Sequence, residues 1–200
     1  MKKPLIILAG PTAVGKTKAS IGLAKRIGAE IISADSMQVY KHMDIGSAKI
    51  TRSEMSGISH HLIDILEPEE EFNVVRFQKM ALEEMEQIYE KGKIPLIVGG
   101  TGFYIQSVLY NIDFTENEAS PYRAELEALA EEKGAEYLHT MLTEVDPKSA
   151  LQIHTNNIKR TIRALEFYHQ TGMKISEHNE AEREKESPYQ YAYFVLTDDR

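Results

Sequence analysis

Gly10-Pro11-Thr12-Ala13-Val14-Gly15-Lys16-Thr17 fills every position of the pattern G-x-x-x-x-G-K-[ST]. In such a stretch the glycines let the backbone turn until several amide N–H groups converge on one anion. The lysine neutralises terminal phosphate charge, and the Thr17 hydroxyl can reach a Mg²⁺ ion. The flanks fit this reading. Leu5 to Ala9 is a short apolar run of buried-strand type, and Lys16 to Ile27 carries Ala19, Leu23 and Ile27 at helical spacing. Strand, glycine turn and helix N-terminus therefore come in the order a phosphate cradle needs, and the helix end adds its partial positive charge.

Working outward, Glu30 to Ser33 reads as a second buried strand that runs into Ala34-Asp35-Ser36-Met37-Gln38-Val39-Tyr40. Asp35 thus sits at a strand's carboxyl end, where open α/β sheets bind ligands. It can hold Mg²⁺, take a proton from a nucleophile, or simply cap the turn that follows. Ile94 to Val98 is a third strand, and it empties into Gly99-Gly100-Thr101-Gly102. A glycine-rich turn there lets a ligand approach the backbone. Many phosphate-loop kinases place an acid at this point; here Thr101 offers a hydroxyl, in a turn that also serves as a tight connection.

Between these strands, Lys41 to Gly57 reads as loop with one short helix at most, and Ile58 to Leu66 as a strand. Neighbours on a strand point to opposite faces, so His60 and His61 are not expected to chelate one metal together. Asn73 can cap a long helix to about Lys91, whose stripe of Phe77, Ala81, Met85 and Ile88 belongs to a core.

From Asp113 the pattern becomes helical. Ser120-Pro121 opens a helix to about Lys133, and Ala135 to Glu144, Pro147 to Ile153 and Asn157 to Thr171 follow. On the last, Lys159, Arg160 and Arg163 gather on one face, a clustering that an anion, solvent or Glu166 would have to relieve. The acidic run Glu180 to Glu186 reads as solvated surface or connector, and Tyr191 to Leu196 as a strand rejoining the sheet.

Composition bounds these readings. Two hundred residues with 42% hydrophobic and 27% charged content suffice for one full core and a small second unit. The absence of cysteine excludes disulfides and thiolate zinc sites, and the longest N-terminal apolar run is too short to span a membrane, so a cytoplasmic protein is expected. A net charge of −8 lowers the expectation of a nucleic-acid partner without removing it, because local patches decide contact within a Debye length of about 8 Å. The expected fold is α/β, a P-loop (nucleoside-triphosphate-hydrolase-like) parallel sheet flanked by helices, divided into a catalytic core at 1–112, a helical insertion at 113–187 and a returning strand at 188–200.

Four stretches together resemble the tRNA dimethylallyltransferase (tRNA isopentenyltransferase) family: Gly10 to Thr17; Asp35 to Tyr40; Val98-Gly99-Gly100-Thr101-Gly102-Phe103-Tyr104-Ile105; and Asn156-Asn157 with Arg160, Arg163, Ala164, Leu165 and Glu166. The resemblance runs over essentially the whole chain, with Thr155 standing where the family usually has proline. It implies transfer of a dimethylallyl group from dimethylallyl diphosphate to the N6 amine of the adenosine 3′ of the anticodon. Asp35 would be the base, Thr101 would sit where amine and leaving oxygen meet, and Lys16, Thr17 with Mg²⁺, and Arg163 would stabilise the diphosphate. Against the tRNA anticodon stem-loop it places Asp35, Ser36, Met37, Gln38, Thr101, Arg123 and the run Lys159, Arg160, Thr161, Ile162, Arg163. A monomer is expected. Family members usually continue for roughly another hundred helical residues, so the chain reads as a fragment with diphosphate binding intact and tRNA affinity reduced. The competing readings are a P-loop nucleoside or nucleotide kinase, an enzyme prenylating free adenine nucleotides, and a non-catalytic nucleotide-responsive module that would tolerate Asp35→Asn.

Overall fold

The computed structural model describes residues 2–114 and 120–198. Two compact units emerge, Met1–Ile112 with Glu186–Arg200 and Asp113–Lys185.

The first unit is a five-stranded sheet in the order β3-β2-β4-β1-β5, formed by β1 (Lys3–Ala9), β2 (Ala29–Ala34), β3 (His60–His61), β4 (Ile94–Gly99) and β5 (Tyr189–Val195). Every pairing is parallel, as the buried apolar runs predict. Alternation along β1 divides the core. Leu5 and Ile7 pack with Ile32, Ile97 and the helices α2 (Val74–Glu90) and α3 (Gly102–Leu109), while Leu8 packs with Ile31, Leu96 and Ala24 of α1 (Lys16–Ile27) on the opposite face. Helix α2 begins where expected, with the Asn73 side chain accepting from the Arg76 N–H at 3.0 Å, and it buries Phe77, Ala81, Met85 and Ile88.

Register matters more than strand count. Ala9 of β1 and Ala34 of β2 both align with Gly99 of β4, so three strands end level and their following loops share one edge. This is where ligands bind in open parallel sheets.

One expectation needs correction in this unit. Ile58 to Leu66 does not form one strand: His60–His61 pairs with β2, then the chain takes positive φ at Leu62 (61°) and Asp64 (54°) and leaves the ladder, returning only as a single bridge between Leu66 and Tyr40. The residues that follow are drawn instead to the turn after β2, where Ile65 and Leu66 donate to the Val39 carbonyl. The segment 41–57 forms turns without a helix.

The second unit consists of α4 (Pro121–Lys133), α5 (Ala135–Val145), α6 (Pro147–Gln152), α7 (Ile158–Thr171) and α8 (Ile175–Glu184) around Leu126, Leu138, Leu142, Ile162 and Leu165. Side chains of Ser120, Asp146 and Asn157 cap α4, α6 and α7. The acidic run is solvated at Glu180, Glu184 and Glu186, as expected, but α8 runs through it to Glu184 and buries one of its carboxylates. Glu182 is buried, accepts from the Asp113 N–H at 3.1 Å and pairs with Lys185. Burial alone would push its carboxyl up, but the Lys185 and Asp113 bonds hold it below the usual range. No helix among the described residues is long and apolar enough to cross a membrane.

Candidate active site

The loop between β1 and α1 is shaped by positive φ at Gly10 (153°), Ala13 (68°) and Gly15 (88°). At Gly10 a side chain is also excluded by space, since a Cβ would stand 2.5 Å from the Leu196 carbonyl oxygen. Unlike α2, α4, α6 and α7, α1 starts with no side-chain cap, and its first turn carries no acidic residue. Its leading N–H groups therefore remain available to an anion. The Lys16 ammonium folds back over the loop, donating to the Gly10 carbonyl at 2.8 Å and to that of Pro11. Burial lowers its pKa, and the nearby Asp35 carboxylate opposes that shift.

A cleft of about 460 Å³ opens beside this loop. Thr12, Ala13, Gly15, Lys16 and Thr17 line one side of it, and Asp35, Met37 and Gln38 line another. Asp35 Oδ1 accepts from the backbone N–H groups of Met37 at 2.8 Å and Gln38 at 3.2 Å. The turn-capping role is thus present, and it fixes the carboxylate so that Oδ2 is left for chemistry. Gln38 is held on both ends: Ser33 Oγ donates to its Oε1 at 3.4 Å, and its Nε2 donates to the Ser47 and Ala48 carbonyls at 3.3 Å. Val14 turns away along α1, Ser36 is exposed, and Thr101 heads α3 without a capping bond, two residues past the cleft-lining Gly99.

Sequence reasoning missed the opposite wall, made by Gly46, Ser47, Ala48, Ile50, His60 and Ile63. What holds it is Lys49, whose buried side chain donates to the Tyr40 carbonyl at 2.7 Å and to the carboxylates of Asp44 at 2.7 Å and Asp64 at 2.6 Å. Burial alone would lower the pKa of this ammonium, and the two carboxylates raise it above its ordinary value. Nothing local announces such a tie; a lysine in a polar loop has no periodicity. His60 closes the wall. Its Nδ1 lies 2.9 Å from the Ile58 carbonyl, which can only accept, so that nitrogen carries the hydrogen, and burial pushes the imidazole pKa down. His61 points elsewhere, to Glu30 at 2.8 Å and Glu84 at 2.7 Å, as opposite strand faces require.

The remaining expected residues lie in the helical unit. Lys159, Arg160 and Arg163 are exposed along α7 and form no ion pair among the described residues. Thr161 and Ile162, expected against tRNA, are buried: the Thr161 hydroxyl donates to the Asn157 carbonyl at 3.2 Å and Ile162 joins the unit's core. Their side chains pack the helix and do not face a partner. Glu166 does not relieve Arg163 either. It is fully buried and accepts from Ser120 Oγ at 2.8 Å and Arg123 Nη1 at 3.3 Å.

A lysine-bearing loop entering an uncapped helix, on the carboxyl edge of an all-parallel sheet, places the chain among the P-loop α/β proteins. Comparison with known proteins narrows this. Residues 38–200 match the model of the IPP transferase family, and the chain belongs to that family. It is 65% identical over 199 residues to a tRNA dimethylallyltransferase of Lachnoclostridium phytofermentans, covering 99% of this chain and 64% of that protein. A tRNA dimethylallyltransferase of Bacillus licheniformis is 56% identical over 200 residues, 63% of its length. Among solved structures, a eukaryotic dimethylallyltransferase acting on tRNA superposes with a TM-score of 0.85 at 32% identity, covering 98% of this chain and 49% of that one. The full-length tRNA isopentenylpyrophosphate transferase of Bacillus halodurans gives 0.61 at 45% identity, covering 98% and 60%. The chain spans 64% and 63% of the two bacterial tRNA dimethylallyltransferases and 49% of the eukaryotic one.

Proposed function

We propose that the chain carries the catalytic centre of a tRNA dimethylallyltransferase. The observation that supports this most directly is the shared cleft: a phosphate-binding loop and a backbone-anchored carboxylate face one space whose other walls include Ile31, Ile50, Ile63 and Val98. An allylic diphosphate has this profile, an anionic head on a short apolar tail.

In the reaction, the exocyclic amine of adenine attacks C1 of the allylic group, a C–N bond forms, and the C1–O bond breaks with its electron pair going to diphosphate. The amine proton passes to Asp35. The two N–H bonds on Oδ1 orient the carboxylate for this, and a positioned base of this kind supplies about 10²–10⁴ in rate. Lys16 and the free N–H groups at the start of α1 stabilise charge on the departing diphosphate. Among the described residues no three His, Cys, Asp or Glu side chains gather as a metal site. The oxygen donors lining the cleft near the loop include the Thr12 and Thr17 hydroxyls and the Asp35 carboxylate, an all-oxygen set with one charge that suits Mg²⁺ keeping water and phosphate oxygens as its other ligands. Held by Thr17, Mg²⁺ would add charge neutralisation at the diphosphate. The exposed cations of α7 favour tRNA over a free nucleotide as the amine's carrier.

Calorimetric titration with dimethylallyl diphosphate and with ATP, each with Mg²⁺, tests the reading. The allylic compound is expected to bind more tightly, Lys16→Ala to abolish binding, and Asp35→Asn to leave binding nearly unchanged while slowing transfer to tRNA by about 10²–10⁴. Tight ATP binding with the allylic compound ignored would replace this reading with the kinase.

A further inference from the structure

The helical unit carries one feature that packing alone does not use. Tyr122 of α4 and His169 of α7 stack with ring centroids 3.9 Å apart and an interplanar angle of 16°. Tyr122 packs against the unit's core, whereas His169 is exposed and its ring makes no hydrogen bond or ion pair among the described residues. The tyrosine is thus the inner layer of a two-ring stack and the imidazole the outer one.

The nearest charges on α4 and mid-α7 offset one another: Arg123, which follows Tyr122, pairs with Glu127 at 3.2 Å and with Glu166 at 3.3 Å, and Glu166 lies one helical turn before His169 and one turn after Arg163. Lys159, Arg160 and Arg163 continue along α7 without ion-pair partners among the described residues. From Lys159 to His169 the helix rises about 15 Å, the length of roughly four stacked nucleotides at 3.4 Å each. Around α7 the three cations share one face, and His169 lies about 80–180° from them, so a single strand that meets both wraps the helix, with cations for its phosphates and an aromatic face for one base.

We propose that the Tyr122–His169 pair is a base-stacking platform: an unpaired RNA base lies on the outer face of His169 while phosphates farther along the strand meet Arg163, Arg160 and Lys159 around the side of α7. This rests on the tRNA reading above and assigns to that partner a contact made by stacking and not by charge.

The test is binding of an RNA stem-loop with 2-aminopurine in its loop, followed by anisotropy and by quenching of the probe. His169→Ala is expected to weaken binding about tenfold, to remove quenching, and to leave the slope of log K against log salt unchanged, since no phosphate contact is lost. His169→Phe should retain affinity and quenching, and circular dichroism should show both variants folded. Joint replacement of Lys159, Arg160 and Arg163 by alanine should weaken binding and flatten the salt slope. If that triple variant weakens binding but His169→Ala stays within twofold, or flattens the slope as a lost charge would, the platform is wrong and the tRNA reading stands. If neither variant changes RNA binding, the tRNA reading itself falls.

Discussion

At Gly99 three strand ends meet. A Cβ there would stand 2.2 Å from the Ala34 carbonyl oxygen, a backbone atom that cannot swing aside. The close approach brings the ends of β2 and β4 together directly before Asp35, so this glycine sets where the carboxylate stands. Gly99→Ala is expected to cost about 1–3 kcal/mol, as overpacking does, and to slow the proposed prenyl transfer by displacing Asp35. Gly102→Ala, where nothing lies within 4 Å of the added carbon, should leave the thermal midpoint nearly unchanged. Comparing the two midpoints checks the argument, and equal destabilisation would refute it.

Among elements, α6 and α8 are joined by one buried carboxylate. Asp146 Oδ1 accepts from Ser149 N–H at 3.0 Å and Ser176 Oγ at 2.7 Å, and Oδ2 from Ser149 Oγ at 2.7 Å and Ser176 N–H at 3.0 Å. Burial would raise its pKa, but these four donors win and hold it below the ordinary range. A depressed folded pKa gives stability that is present above the unfolded value and lost as pH falls through the folded one. Asp146→Ala, which leaves buried donors unpaired, should cost about 3 kcal/mol and reduce helical circular dichroism on mild heating before the wild type changes. Asp146 as a cap of α6 follows the sequence pattern of Asp before Pro; its hold on Ser176, thirty residues on, does not, and that hold helps make α8 a helix where composition suggested a solvated connector.

On the scale of the whole first unit, Glu30 ties four parts of the chain. Its nearly inaccessible carboxylate meets Lys93 at 2.8 Å, His61 at 2.8 Å and Lys91 at 3.0 Å, linking β2 to β3 and to the turn before β4, while His61 continues to Glu84 of α2. Burial would push the pKa of this carboxyl up, yet the three partners bring it down from 4.5 to about 2. The stabilisation, on the order of 3 kcal/mol, is therefore complete above pH 4.5 and disappears as pH falls toward 2. Glu30→Gln should unfold at a lower denaturant midpoint than wild type at pH 7, with the gap closing below pH 4.5; a gap independent of pH would show that the charge is not what matters.

Local pattern is enough to place the phosphate loop, the three strands that end beside it, the helix starts at Asn73, Ser120 and Asn157, and Asp35 at a strand end. Each is written in neighbouring residues: apolar period, capping chemistry and glycine conformation act over a few positions. Packing is what makes Lys49 the support of the cleft's far wall, gives Glu166 to Arg123 and not Arg163, turns Thr161 and Ile162 inward, and lays His169 on Tyr122. Some of these partners are far apart in sequence, Arg123 and Glu166 by 43 positions, and others, such as Lys49 and Asp64 at 15, lie across turns with no periodic pattern; a buried charge or ring takes whichever partner the packed elements bring within reach.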